Sequence, residues 1–188
     1  MNRFWKEYFI FMEKKTNTLK KALTGIILSV ILIVIDQVTK LMAIHGLMNQ
    51  QPFVIWDGVF ELHYLENRGA AFGILQGKKI FFVFFTLIVL CLIAYLYLKR
   101  IPDDKKFRPM DGICILFFAG ALGNFIDRVF RNYVVDFFYF KLIDFPIFNV
   151  ADIYVTVTMV LLIGLILFYY KEEDFEFLSR KGKHGRND

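Results

Sequence analysis

Four stretches of the chain are almost wholly apolar: roughly Ala22–Gly46, Ile80–Leu98, Met110–Phe130 and Ala151–Tyr170. Each approaches or exceeds the roughly 20 residues a helix needs to cross a bilayer's hydrocarbon core. Between the first two, PFVIWDGVFELHYLEN alternates β-rich runs about Asp57-Gly58, a pair suited to a tight hairpin turn. Phe60, Leu62 and Tyr64 alternate there with Glu61 and His63, predicting a sheet with one apolar and one polar face. The 131–150 segment is aromatic, with a β-like VVDF run, and Pro146 breaks any helix ahead of the fourth span. The pattern therefore predicts an all-α integral membrane protein of four transmembrane helices, with a small sheet on its outer surface.

Composition agrees: 57% of residues are hydrophobic and 18% aromatic, with a mean hydropathy of +0.49. A net charge of +5 would suit nucleic acid, but the charge is distributed as topology. Residues 1–21 carry six Lys or Arg, the 99–108 loop five and the chain from 171 onward five. The 47–79 and 131–150 segments hold three and two. Positive residues favour the cytoplasmic side, so both termini and the middle loop are expected inside. The expected order is a cytoplasmic segment 1–21, span 22–46, outer segment 47–79, span 80–98 and inner loop 99–109. Span 110–130, outer segment 131–150, span 151–170 and a solvated tail 171–188 complete it. Residues 1–21 lead into a signal anchor rather than a cleavable leader, and Met12, ahead of EKKTNTLKK, is an alternative start.

The residues that interrupt the apolar pattern carry the chemistry. Asp36 lies about 20 Å from the inner end of its span, with Lys40 one turn on. Asn124, Asp127 and Arg128 sit near the outer end of the third span, and Asn149 and Asp152 open the fourth. The topology brings all three groups to the outer leaflet, where ionisable residues usually face a bundle interior or a wet cavity. Each also has a plainer reading. Asp36 and Lys40 make a snorkelling pair, Asn149 and Asp152 a helix cap, Asp127 and Arg128 a structural ion pair, and Asp144 a turn acid.

Elimination narrows the chemistry. Ser29 is deep in the inner half of the first span and Ser179 is in the tail, so the outer site has no serine nucleophile. Cys91 and Cys114 fall in inner halves and are expected to be packed core thiols. His45, His63 and His184 lack ligand spacing, so no metal or cofactor is expected. Carboxylates remain: two acids close together in a low-dielectric site share a proton, and can activate water while polarising a peptide carbonyl. Spacing leaves Asp36, Asp127, Asp136 and Asp152 all available. A proton-relaying carrier or channel and a non-catalytic scaffold are the rival classes.

Five blocks in order, DQVTK (36–40), ENRGAAFGIL (66–75), GALGNFIDRV (120–129), VVDFFYF (134–140) and FNVADIYVTV (148–157), resemble bacterial lipoprotein signal peptidases, or signal peptidase II. The resemblance covers about residues 20–170. It implies four spans with an outer β-cradle in the cytoplasmic (inner) membrane. It also implies aspartyl cleavage of diacylglyceryl prolipoproteins just before the lipidated cysteine, with Asp136 and Asp152 catalytic. Asp36, Lys40, Asn67, Arg68, Gly69, Asn124, Asp127, Arg128, Asn149 and Ala151 are implied as supporting or substrate-binding residues. Gly69, Ala70 and Ala71 suit close packing or substrate approach equally. A monomer among membrane lipids, inhibited by cyclic lipopeptides of the globomycin type, is expected. Arg68 stands where threonine is common, and the bulky Tyr154 is expected to narrow the site.

Overall fold

In a computed structural model describing residues 3–69 and 78–178, the predicted elements appear in the predicted order. They are α1 (Arg3–Leu47), β1 (Phe53–Trp56), β2 (Phe60–Asn67), α2 (Lys79–Tyr95), α3 (Arg108–Phe130), β3 (Val134–Tyr139) and α4 (Val150–Phe168). Ala70, Ala71, Ser179 and His184 lie outside the described residues. Each of the four helices includes a stretch long and apolar enough to span a membrane. Helices suit that setting because their backbone groups are satisfied internally. α1 is 45 residues long, so the basic segment before the first span continues the same helix.

α3 is the central helix, packed against α1, α2 and α4. Its small residues permit this, since without a hydrophobic drive in lipid, helices associate by close backbone approach. A Cβ on Gly120 would lie 2.7 Å from the Ala151 carbonyl oxygen, and one on Gly123 would lie 2.6 Å from Asp36 Oδ2. The outward faces of α1, α2 and α4 expose Ile26, Met42, Phe84 and Leu167, as a lipid-covered surface would. Phe81, Phe84 and Phe85 join them, whereas Phe82 turns inward beneath the Arg128 guanidinium, 4.9 Å away. Cys91 is also exposed on α2, contrary to the packed thiol expected, while Cys114 is half-buried.

At one end of the bundle the strands form an antiparallel sheet in the order β1-β2-β3. Gly58, at φ 69°, makes the predicted turn in a conformation that costs glycine little. Leu62 and Tyr64 face a cluster built on Ala43, Val135 and Phe137, so the apolar face seats the sheet on α1. The other face is not simply polar and wet: Glu61 is 3% exposed. At the opposite end Ile101, Phe107, Met110 and Tyr170 form a second cluster. Phe175 and Phe177 pack on it, and Asp174 pairs with Lys106, so residues 172–178 fold back as 3-10 turns instead of a solvated tail. The apolar spacing of DFEF decides this, since two exposed rings gain by covering Phe107 and Tyr170.

A buried charge cluster ties the helices together beneath the sheet. Lys40 and Asp36, both fully buried, are 2.9 Å apart and do not snorkel. Lys40 Nζ also reaches Asp127 Oδ2 at 3.0 Å and donates to Asn124 Oδ1 at 3.0 Å. Asp127 does not pair with Arg128; its other oxygen takes Arg131, one turn on, and Gln37 at 3.2 Å. The reason is direction: successive helix residues are about 100° apart, so Asp127 faces α1 while Arg128 faces α2.

Removing one member of such a cluster strands its partners in low dielectric. Lys40→Met is expected to destabilise the fold by about 3–5 kcal/mol, measured by unfolding in detergent micelles. Gly120→Ala should cost about 1–3 kcal/mol by forcing α3 and α4 apart, and an unchanged midpoint would contradict this packing.

Candidate active site

β3 carries Asp136 because VVDFFY is β-branched and aromatic, and alternation sends its residues to opposite faces. Val135 and Phe137 enter the cluster against α1, leaving Asp136 to face the other way, 1% exposed. β2 pairs Leu65 with Asp136 and Asn67 with Val134. That register lets Asn67 Nδ2 donate to Asp136 Oδ2 at 2.8 Å, while Asn67 Oδ1 accepts from the Gly69 amide at 3.0 Å.

Asp152 arrives in the first turn of α4. The cap read from the sequence is there: Asn149 Oδ1 accepts from the Asp152 amide at 3.0 Å, and Asp152 Oδ2 accepts from the Asn149 amide at 3.1 Å. The cap does not exhaust either residue. Asn149 Nδ2 donates to Asp136 Oδ1 at 2.6 Å, and Asn124 Nδ2 donates to Asp152 Oδ1 at 2.8 Å. All four carboxylate oxygens of Asp136 and Asp152 therefore accept from amide donors.

The charge cluster below holds the backbone under both acids. Asp36 Oδ1 accepts from the Ala151 amide at 2.9 Å, one of the orphan donors at the start of α4. Asp127 Oδ2 accepts from the Val135 amide at 3.2 Å. The residue immediately before each acid is thus bound by one of the two carboxylates that share Lys40. Ala151 is fully buried against α3, where Gly120 leaves it room.

Asp136 and Asp152 line one cavity of about 700 Å³ with Asn67, Asn124, Arg68 and Arg128. Leu65, Val134, Phe145–Phe148 and α4 residues Ile153, Val155 and Val157 supply apolar walls. Arg128 donates to the carbonyl oxygens of Gly69 at 3.3 Å and Asn124 at 3.4 Å. Arg68 is largely exposed at the cavity, paired with Glu66 at 2.9 Å. Tyr154 does not narrow the cavity, because its hydroxyl turns to α1 and donates to Leu32 O at 3.4 Å. Asp144 is the turn acid expected, at φ 48°, accepting from the Tyr139 hydroxyl at 2.7 Å. Burial first, and then the charge of Asp152, push the Asp136 carboxyl up to about 7, against the lowering effect of the Asn67 and Asn149 amides.

Gln37 and Arg131 belong to this assembly and were not singled out in the sequence. Gln37 Nε2 donates to Asp36, Gly123 and Asp127, and Arg131 binds Gln37 Oε1 at 2.9 Å. A signal was available: Gln37 lies inside DQVTK, and Arg131 is four residues after Asp127.

A family model described as Signal peptidase (SPase) II matches residues 28–168. A lipoprotein signal peptidase of Clostridium tetani (strain Massachusetts / E88) is 40% identical over 155 residues, covering 80% of this chain and 95% of that protein. One from Streptococcus thermophilus (strain CNRZ 1066) is 44% identical over 143 residues, covering 76% and 90%. A bacterial membrane enzyme solved by the in meso method superposes with a TM-score of 0.68 at 38% identity, over 78% of this chain and 94% of that one. Such identity across the spans, the sheet and the polar cluster shows that the chain belongs to the signal peptidase II family.

Proposed function

We propose that this protein is an aspartyl endopeptidase that removes signal peptides from diacylglyceryl-modified prolipoproteins, cutting immediately before the lipidated cysteine. Family membership makes it a protease of lipoprotein processing, and its four apolar helices make it a multi-pass membrane protein. Asp136 and Asp152 form the catalytic pair, in the cytoplasmic (inner) membrane with the site toward the outer face. The observation that carries this reading is the pair itself: two acids from different elements, on one cavity, with every oxygen held by an amide donor.

The roles follow from the surroundings. Asp152 lies in the first turn of α4, at the positive end of the helix dipole, and accepts from the Asn149 and Asn124 amides. Asp136 sits in a strand without that dipole, and burial beside Asp152 favours its neutral form. Asp152 takes a proton from water as the water oxygen attacks the scissile carbonyl, and Asp136 gives its proton to the carbonyl oxygen. Collapse of the resulting diol breaks the C–N bond as one hydroxyl returns its proton to Asp136 and the proton on Asp152 passes to the departing amine, which regenerates the pair. Asn67, Asn124 and Asn149 keep the acids aligned, with Arg128 fixing the Asn124 and Gly69 backbone, and preorganisation of this kind is a large part of catalysis. The apolar walls suit a lipid-bearing substrate and membrane lipids, and a cyclic lipopeptide of the globomycin type would compete for them. The working unit is a monomer.

A proton carrier or channel needs polar groups through the full membrane depth. Inner-half cavities here are lined by residues such as Ile26, Ile33, Ile115 and Phe118, with Ser29, Tyr97 and Cys114 among them. That lining opposes a continuous pathway.

Asp136→Asn and Asp152→Asn, each shown to fold, are expected to lose about 10²–10⁴-fold in cleavage of a diacylglyceryl prolipoprotein. Normal cleavage by either folded variant would sink the dyad. In the wild type, Asp136 loses its proton above about pH 7, so the rate should then fall by about tenfold per pH unit. Asn67→Ala removes a donor that favours ionised Asp136, so it should raise that pKa and move the alkaline limb of the pH–rate profile upward.

A further inference from the structure

Phe145, Pro146 and Ile147 form a wall shared by two cavities. One is the cavity holding Asp136 and Asp152; the other, of about 460 Å³, is lined across from the wall by His63, Tyr139 and Asp144. The wall belongs to the loop that leaves β3 and returns to α4. Its far end is tied to the sheet by backbone bonds, since Phe148 O accepts from Phe137 at 3.0 Å and Phe138 at 2.8 Å, and Phe148 N donates to Phe138 O at 3.0 Å. The near end is held by single bonds instead of a paired ladder: Leu142 N donates to Val59 O at 3.3 Å and Phe145 N to Phe140 O at 3.1 Å. A side chain adds a further tie to the sheet. Lys141 Nζ lies 2.6 Å from Glu61 Oε1, and the other Glu61 oxygen is 2.8 Å from His63 Nε2.

Glu61 is an unexpected residue for that task. Its side chain is 4% exposed, between Phe60 and Leu62 of β2, and a carboxylate so placed is costly without partners. The bonds from His63 and Lys141 hold its carboxyl below the usual carboxylate range. Across the sheet Glu61 pairs with Tyr139, whose ring is 4.8 Å from His63 and whose hydroxyl fixes Asp144. One carboxylate thus joins the second strand, the end of the third and the loop behind the wall.

We propose that Glu61 is a positioning residue for substrate binding, holding the Phe145–Ile147 wall of the catalytic cavity through Lys141 and His63. This rests on the function given above. The wall does not hold the dyad, whose donors come from Asn67, Asn124 and Asn149. Loosening it therefore weakens ground-state and transition-state binding alike, which raises KM and spares kcat.

The test uses the full chain with Glu61→Gln, Lys141→Met and Lys141→Arg, assayed on a diacylglyceryl prolipoprotein in detergent micelles. Glu61→Gln and Lys141→Met should raise KM by about tenfold with kcat within about twofold, and Lys141→Arg should restore wild-type KM. Independently of activity, hydrogen exchange at the Leu142, Asp144 and Phe145 amides should quicken in Glu61→Gln while α3 stays protected. Wild-type KM and exchange in Glu61→Gln would overturn the proposal, as would a fall in kcat at unchanged KM. An inactive wild type would count against the function alone, and the exchange comparison would still judge the bracket.

Discussion

Everything near the site depends on the ammonium of Lys40. It sits fully buried among Asp36, Asp127 and Asn124, and these contacts lead on to β3 and to α4. Through Asp36 it reaches the backbone at the start of α4, and through Asp127 the start of β3. Through Asn124 it sets which end of an amide faces Asp152, because the oxygen is committed to Lys40 and Asn149. Arg131, half-buried, supplies a second positive charge against Asp127. A buried ion pair is weak evidence of stability, since desolvation offsets much of the attraction. Its value here is registry: a lysine able to satisfy three acceptors only in one arrangement selects that arrangement.

The same economy of polar groups explains the acids above. Asp136 and Asp152 face one cavity, where two carboxylates repel. Amide donors resolve this without adding a neutralising cation between them. Asn67, Asn124 and Asn149 orient the oxygens of both acids. Small residues complete the arrangement, since Gly120 and Gly123 let Ala151 and Asp36 approach α3 closely enough for these distances.

Part of this was legible in the chain. The four spans followed from length and apolarity, and the hairpin from Asp57-Gly58 with its flanking alternation. The cap at Asn149 and Asp152 was readable because capping is local, needing residues three apart and no tertiary contact. Asp127 and Arg128 were misread as a pair because adjacency in sequence is not adjacency on a helix. Cys91 was misread because an apolar span hides which of its faces meets lipid. Glu61 looked like a solvent-facing strand residue, since alternation reveals two faces but not what covers each.

The sequence by itself determined the membrane setting, the number of spans, the charge asymmetry across them and a short set of polar residues at one depth. By elimination it pointed to carboxylates, because the serines and cysteines fall at other depths and the histidines lack ligand spacing. Only the tertiary structure decided which donor serves which oxygen, that Lys40 faces inward instead of snorkelling, and that Tyr154 turns away from the cavity. The reason is range. Hydrophobicity and capping act within a turn or a span, whereas the contacts of Lys40 with Asn124 and Asp127 join residues more than 80 positions apart. Those contacts exist only once α3 has packed against α1 and α4.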